Sequence, residues 1–121
     1  MKRDRSIRIM DLKDDPETLA AYDRAHSIGQ TPVEIVEAQC RHGIDEMEIF
    51  RIGNRLVMVL DTNEAFDPDG LEGERLTQDV VDRWHMRMIE LQRPPFESGE
   101  AWPEARRVFR QSDHLSDKDK T

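Results

Sequence analysis

The stretch Glu46-Met-Glu-Ile-Phe-Arg-Ile-Gly-Asn-Arg-Leu-Val-Met-Val-Leu-Asp61 decides the fold. Two runs of β-favouring residues are joined by Gly53-Asn54, a pair that favours a tight hairpin. In the first run Met47 and Ile49 fall on one face of the strand, and Phe50 and Ile52 on the other. In the second, Leu56, Met58 and Leu60 oppose Val57 and Val59. Side chains alternate across a strand, so both faces of this hairpin are apolar and both need a cover.

The flanking sequence supplies helices for one face. Ser6 to Leu12 alternates, with Ile7 and Ile9 opposite Met10 and Leu12, and reads as a first strand. Asp15 before Pro16 is a helix start, N-cap followed by proline in the first turn, and the helix runs to about His26 before Gly29. Thr31-Pro-Val-Glu34 has the form of a capping box. It opens a second helix with Val33, Val36 and Cys40 as its apolar stripe, ended by Gly43. Asp67-Pro-Asp-Gly70 reads as a turn or loop. A long helix follows from about Leu76 to Leu91, carrying Val80, Trp84, Met88 and Leu91, and Arg93-Pro94-Pro95 stops it. Residues 94 to 104 read as a loop and Ala105 to Gln111 as a last strand through Val108 and Phe109. Residues 112–121 are polar and read as a disordered tail.

The order strand, helix, strand, strand, helix, strand is α+β and ferredoxin-like, βαββαβ with the first helix doubled, in one domain over residues 1–111. This topology places its helices on one side of the sheet. The simplest cover for the other side is the sheet of a second copy, which predicts a homodimer closed into an α/β barrel.

Of the 121 residues, 26 are Asp or Glu and 18 are Lys or Arg, a formal net charge of -8. That balance argues against nucleic acid and against an anionic membrane surface as partners. The charged N-terminus has no apolar run behind it, and no stretch is long enough to span a bilayer. A single cysteine, Cys40, precludes an internal disulfide and fits a reducing, cytoplasmic setting. On an apolar helix stripe it reads as a buried small hydrophobe rather than a nucleophile.

Tyr22 and His26 are the candidate chemistry. Four residues apart on a helix, they lie one above the other on the same face. An imidazole that titrates near neutrality beside a phenol that stays a donor is a minimal kit for moving protons on a neutral substrate. The plain alternative is core lining with satisfied polar tips. Trp84 can offer a stacking face or simply belong to its helix's core stripe. His85 beside it either enters the same pocket or is a partly exposed helix histidine. Trp102, in the loop before the last strand, either closes the pocket or packs at the dimer seam. The histidines His26, His42, His85 and His114 show no ligand spacing, and no glycine loop cradles a phosphate. Neither a metal nor an organic cofactor is expected.

The ordered series Asp11-Leu-Lys-Asp-Asp-Pro16, Tyr22-Asp-Arg-Ala-His26, Pro32-Val-Glu34, Asp45 to Leu56 and Asp82-Arg-Trp84 resembles the L-rhamnose mutarotase family over roughly residues 6 to 111. The resemblance implies a dimeric α/β barrel that interconverts the α and β anomers of a 6-deoxy sugar, a monosaccharide substrate, without a cofactor. It implies His26 as the catalytic acid/base and Tyr22 as its helix partner, with Trp84 as the first of a tryptophan pair against the sugar. Three positions depart from the family pattern. His85 stands where the second tryptophan is found, Met47 where rhamnose-specific members often carry tyrosine, and Thr31 where a tryptophan commonly precedes the proline. These changes remove aromatic and hydroxyl contacts to the sugar and so bear on the substrate more than on the reaction. The Met47-Glu-Ile49 strand is similar to that of relatives found beside L-fucose catabolism, and L-fucose or a related 6-deoxy sugar is expected to be handled at least as well as L-rhamnose. Two other functions suit the same scaffold: a small oxygenase or haem-handling protein using His26 as a ligand, and a non-catalytic ligand-binding module.

Overall fold

A computed structural model describes residues 3–67 and 78–115. Strand β1 (Arg3–Leu12) leads into helix α1 (Pro16–Ala25) and helix α2 (Val33–Arg41). The hairpin strands β2 (Ile44–Ile52) and β3 (Arg55–Asn63) follow. Helix α3 (Gln78–Leu91) is followed by the two-residue strands β4 (Gln92–Arg93) and β5 (Glu104–Ala105), then by a short 3₁₀ turn at Gln111–His114. All pairings are antiparallel, in the order β2-β3-β1-β4, with β5 also on β1. The chain is therefore α+β, and the strand order is compatible with a ferredoxin-like half-barrel. Residues 68–70 of the expected turn, the first residues of the expected last helix and residues 116–121 of the expected tail lie outside the described residues. Ser112 to His114 belong to the 3₁₀ turn.

Register assigns the two faces. Met10 pairs with Leu56, Arg8 with Met58 and Ser6 with Leu60, while Met58 and Leu60 pair on their other side with Ile49 and Met47. These even-numbered β1 and β3 positions point toward the helices, and Leu12 and Leu56 are fully buried there. Met10, Leu12 and Leu56 form the main core with Tyr22 and Ala25 of α1 and Met88 of α3, and Ile44, Met58 and Leu60 form a second cluster. The turn joining β2 and β3 places its positive φ on Gly53 alone, as a type II′ hairpin requires. Asn54 then ties the hairpin to the end of β1, donating through Nδ2 to the Leu12 carbonyl at 3.1 Å and accepting the Leu12 N–H at 2.7 Å.

The outer face keeps its apolar character, and none of the described helices packs its buried residues there. Ile7, Ile9, Val57 and Val59 are half-buried, and Phe50 and Ile52 are 54% and 77% exposed. This band is bracketed by two cross-strand ion pairs, Arg5 to Asp61 at 2.6 Å and Arg55 to Asp11 at 2.8 Å.

The helix caps divide. Asp15 caps α1 as expected, accepting from the Thr18 N–H at 2.8 Å. The capping box expected at Thr31 does not form. The Thr31 hydroxyl instead donates to the Ala25 carbonyl at 2.8 Å, satisfying the end of α1, and α2 starts after Pro32 with no side-chain cap. The face of α2 is also corrected. Ile35 and Ala38 are buried, whereas Val33 and Val36 are 57% and 46% exposed and Cys40 is exposed. Two stripes at helical spacing coexist in this helix, and only packing against α3 and β2 chooses between them.

The expected strand through Val108 and Phe109 is replaced by the short β4 and β5, which share the edge of β1. Val108 and Phe109 are 83% and 66% exposed. They are adjacent, so an extended chain sends them to opposite faces, and the arginines around them offer no alternating partner for the core.

Gly43 closes the turn from α2 into β2 at φ +88°, and a Cβ there would collide with the backbone of Phe66. Glycine alone meets both conditions. Gly43→Ala should therefore lower stability by more than about 1 kcal/mol, measured as a fall in the urea midpoint. The same change at Gly29, where a Cβ meets nothing, should cost less.

Candidate active site

The last turn of α1 builds the site. Leu19, Tyr22 and Ala25 anchor one face of the helix in the core, and His26 takes the C-cap position, half-buried. Its ring stacks on Tyr22, with centroids 4.0 Å apart and planes inclined by 29°. Trp84, from α3, makes a T-shaped contact with His26, with centroids 5.1 Å apart and planes inclined by 66°. The two aromatic neighbours fix the imidazole plane.

The tautomer follows from one hydrogen bond. His26 Nδ1 lies 2.9 Å from the Tyr22 carbonyl oxygen. A carbonyl only accepts, so Nδ1 carries the hydrogen and Nε2 of the neutral ring carries the lone pair. Burial lowers the His26 pKa from its ordinary value, and the Arg87 charge pushes the same way; the hydrogen bond to Tyr22 and the Asp23 carboxylate partly oppose them. His26 is thus a neutral base at pH 7. Burial pushes the Tyr22 phenol far up, the Asp23 charge adding to it, so that hydroxyl stays protonated.

Asp23 is itself held in place. Arg51 of β2 grips its carboxylate in a fork, Nε to Oδ1 at 2.8 Å and Nη2 to Oδ2 at 2.6 Å, and donates to the Gly53 carbonyl at 2.7 Å. The hairpin thereby clamps the helix turn that carries His26.

The expected site residues do not all converge. Tyr22, His26 and Trp84 are in ring contact. Met47 is half-buried beside the second core cluster, with its sulfur 4.0 Å from Gln39 Nε2. Trp102 packs against both clusters and so bridges the Tyr22 side of the interior to the Met47 side. His85, one residue past Trp84, is turned about 100° around the helix and is exposed. A cleft of about 270 Å³ opens beside Trp84, lined by Pro32, Glu34, Val80, Arg83, Trp84 and Arg87.

Three participants escaped the sequence reading: Asp23, Arg51 and Arg87. An arginine on a strand and an aspartate on a helix give no pairing signal without the tertiary register. Among the described residues no group of three or more His, Cys, Asp or Glu gathers as a metal site would require. Nor is any helix there long and apolar enough to cross a membrane.

The chain is an α+β antiparallel sheet that carries a half-buried histidine in ring contact with Tyr22 and Trp84. The comparisons with known proteins are specific. The family model described as L-rhamnose mutarotase matches residues 5–111. The chain is also 34% identical over 118 residues to the L-fucose mutarotase of Xanthomonas campestris pv. campestris, an alignment covering 96% of this chain and 94% of that protein. The chain belongs to the L-rhamnose mutarotase family, whose members are isomerases acting on sugars.

Burial lowers the His26 pKa, and the charges of Arg87 and Asp23 adjust it in opposite directions. Because its pKa is lowered, the neutral form persists below pH ~6.5, the ordinary histidine value. Asp23→Asn removes a charge that raises the pKa and should move the His26 midpoint lower. Arg87→Gln removes a charge that lowers it and should move the midpoint higher. An NMR titration of the imidazole reads both, and shifts of the same sign in the two variants would contradict the electrostatic account.

Proposed function

We propose that this chain is a mutarotase for a 6-deoxy aldose, with L-fucose handled at least as well as L-rhamnose. The observation that supports it most is the orientation of His26, with Nδ1 on the Tyr22 carbonyl and a lone pair left on Nε2. Nε2 takes the proton of the anomeric hydroxyl while a general acid protonates the ring oxygen. The bond from C1 to the ring oxygen breaks and the open aldehyde forms. Rotation about C1–C2 and closure on the opposite face give the other anomer, with both proton transfers reversed. Positioned proton transfer of this kind contributes roughly 10²–10⁴-fold. Tyr22, held protonated, serves as a hydrogen-bond donor or orienter, and Trp84 offers an apolar face to the sugar.

Met47 and Thr31 support the assignment toward L-fucose. A thioether is a very weak acceptor for a hydroxyl, and the Thr31 hydroxyl is already engaged with the Ala25 carbonyl. The relative in Xanthomonas campestris, an L-fucose mutarotase, agrees with that direction. In this reading Trp102 closes the interior end of the pocket, and His85 lies at its rim. No metal or organic cofactor takes part, and the enzyme works in the cytoplasm.

We also propose a homodimer formed through the outer sheet face. Phe50, Ile52, Val57, Val59, Ile7 and Ile9 form an apolar centre, and the Arg5–Asp61 and Arg55–Asp11 pairs form a charged rim. That is the anatomy of a protein interface, and a second copy supplies a matching surface by symmetry.

Saturation-transfer NMR of anomer exchange should show catalysis with both sugars and a rate for L-fucose at least equal to that for L-rhamnose. A strong preference for L-rhamnose would mean that Met47 and Thr31 do not control substrate choice. His26→Ala should lose about 10²-fold or more in exchange while remaining folded, and Tyr22→Phe should lose less. A wild-type rate in folded His26→Ala would place the base elsewhere. For the assembly, sedimentation should give a dimer at micromolar protein. Phe50→Glu, which sets a charge in the apolar centre, should give a monomer with its helix content retained.

A further inference from the structure

Arg8 occupies a place that neither the reaction nor the packing accounts for. It lies in β1 between Ser6 and Met10 on the helix-facing side of the sheet, paired with the buried Met58. Arg8 faces the same side as the apolar Met10, Leu12, Leu56, Met58 and Leu60. Its Nη1 donates to the Trp102 carbonyl at 3.3 Å, and its Nη2 lies 3.6 Å from Glu104 Oε1. Its Nε is buried without a hydrogen-bond partner, the one such side-chain nitrogen or oxygen among the described residues. A stranded buried donor is destabilising, and a folded protein seldom keeps one without use for it.

A second feature sits at the same point. Trp102 adopts φ +53°, the one non-glycine residue among those described in the left-handed region. That conformation is costly for a bulky side chain and persists where its surroundings enforce it. Arg8 supplies part of the enforcement through the Trp102 carbonyl. The next carbonyl, of Pro103, accepts the Ile9 N–H at 3.1 Å. The indole is thereby held against both core clusters. Arg8 thus holds the backbone of Trp102 and lies one pleat along β1 from Met10, which packs in the same cluster as Tyr22 and against Trp102.

We propose that Arg8 is a sugar-binding residue. Its guanidinium donates to a hydroxyl of the bound monosaccharide, Trp102 lies against an apolar face of the ring, and Nε gains its partner when the site is filled. Five N–H donors in a rigid plane suit a neutral polyol, and Glu104 offsets the charge so that no anionic group is required of the ligand. This assignment rests on the mutarotase reading and adds a polar contact on the sheet opposite the His26 helix.

The test uses the 121-residue protein with Arg8→Met, which removes every donor, and Arg8→Lys, which keeps the positive charge but has no guanidinium. L-Fucose exchange is measured with binding read independently by ligand-observed NMR, and the series is repeated with monodeoxy fucoses. KM should rise about tenfold or more in both variants with a smaller change in kcat, since a hydrogen bond to a charged group is lost. For one monodeoxy analogue the wild-type and variant values should converge. A wild-type KM in Arg8→Lys, or an equal loss across all analogues, would reduce Arg8 to a loop anchor and overturn the proposal. A wild type that binds L-fucose in an Arg8-dependent way but catalyses no exchange would uphold this contact and reject the mutarotase reading. A wild type that neither binds nor exchanges any of these sugars would reject both.

Discussion

The rest of the structure depends on the register between β1 and β3. Once Met10 faces Leu56 and Arg8 faces Met58, every apolar side chain on these strands is committed to one side or the other. A slip of β3 by one residue against β1 would turn Leu56, Met58 and Leu60 outward and bring Val57 and Val59 under the helices, beside the unmoved Met10 and Leu12. The register is held at its ends by Asn54 on the Leu12 backbone and by the two arginine–aspartate pairs across the outer face. Solvent-exposed ion pairs contribute little to stability by themselves. Their use here is positional: they satisfy one alignment of the strands and not its neighbours.

That alignment determines where chemistry is available. The inner face is deep enough to bury Tyr22 and Ala25 of α1, and this seats the end of the helix, with His26, at the margin of the core. A fully buried imidazole would find no substrate, and a fully exposed one would sample many orientations. At half-burial, in ring contact with both Tyr22 and Trp84, the imidazole has a fixed plane and a fixed tautomer. The Arg51–Asp23 fork adds a link from the hairpin to the same helix turn, so the sheet that defines the interior also steadies the turn that carries His26.

The same economy shows at Thr31. The Thr31 hydroxyl gives its one proton to the Ala25 carbonyl at the end of α1 and accepts no N–H from α2. The end of the helix that bears His26 gains a partner for its carbonyl, while α2 begins without a side-chain cap. A threonine spent on backbone satisfaction is then a poor candidate for reading a sugar hydroxyl.

Several features were legible in the chain alone because they depend on local chemistry. The Gly53-Asn54 hairpin, the Asp15-Pro16 helix start, the alternation of Ser6 to Leu12 and the i, i+4 placement of Tyr22 and His26 each follow from turn geometry, capping or periodicity within a few residues. The two-sided apolar hairpin already marked an outer face without a helix, and the ordered motifs already pointed to the family. What the tertiary structure decided is whatever needs a choice between equal local options or a partner far along the chain. The stripe Val33-Val36-Cys40 and the face of Ile35 and Ala38 fit a helix equally well, and contact with α3 and β2 selects the second. Val108 and Phe109 have strand propensity but no surface to pack on, so the edge of β1 goes to β4 and β5. Arg51 meets Asp23 across 28 residues and Arg8 meets Trp102 across 94. Such pairs carry no local signature, because hydrogen bonds between distant side chains exist only after the register has brought them within reach.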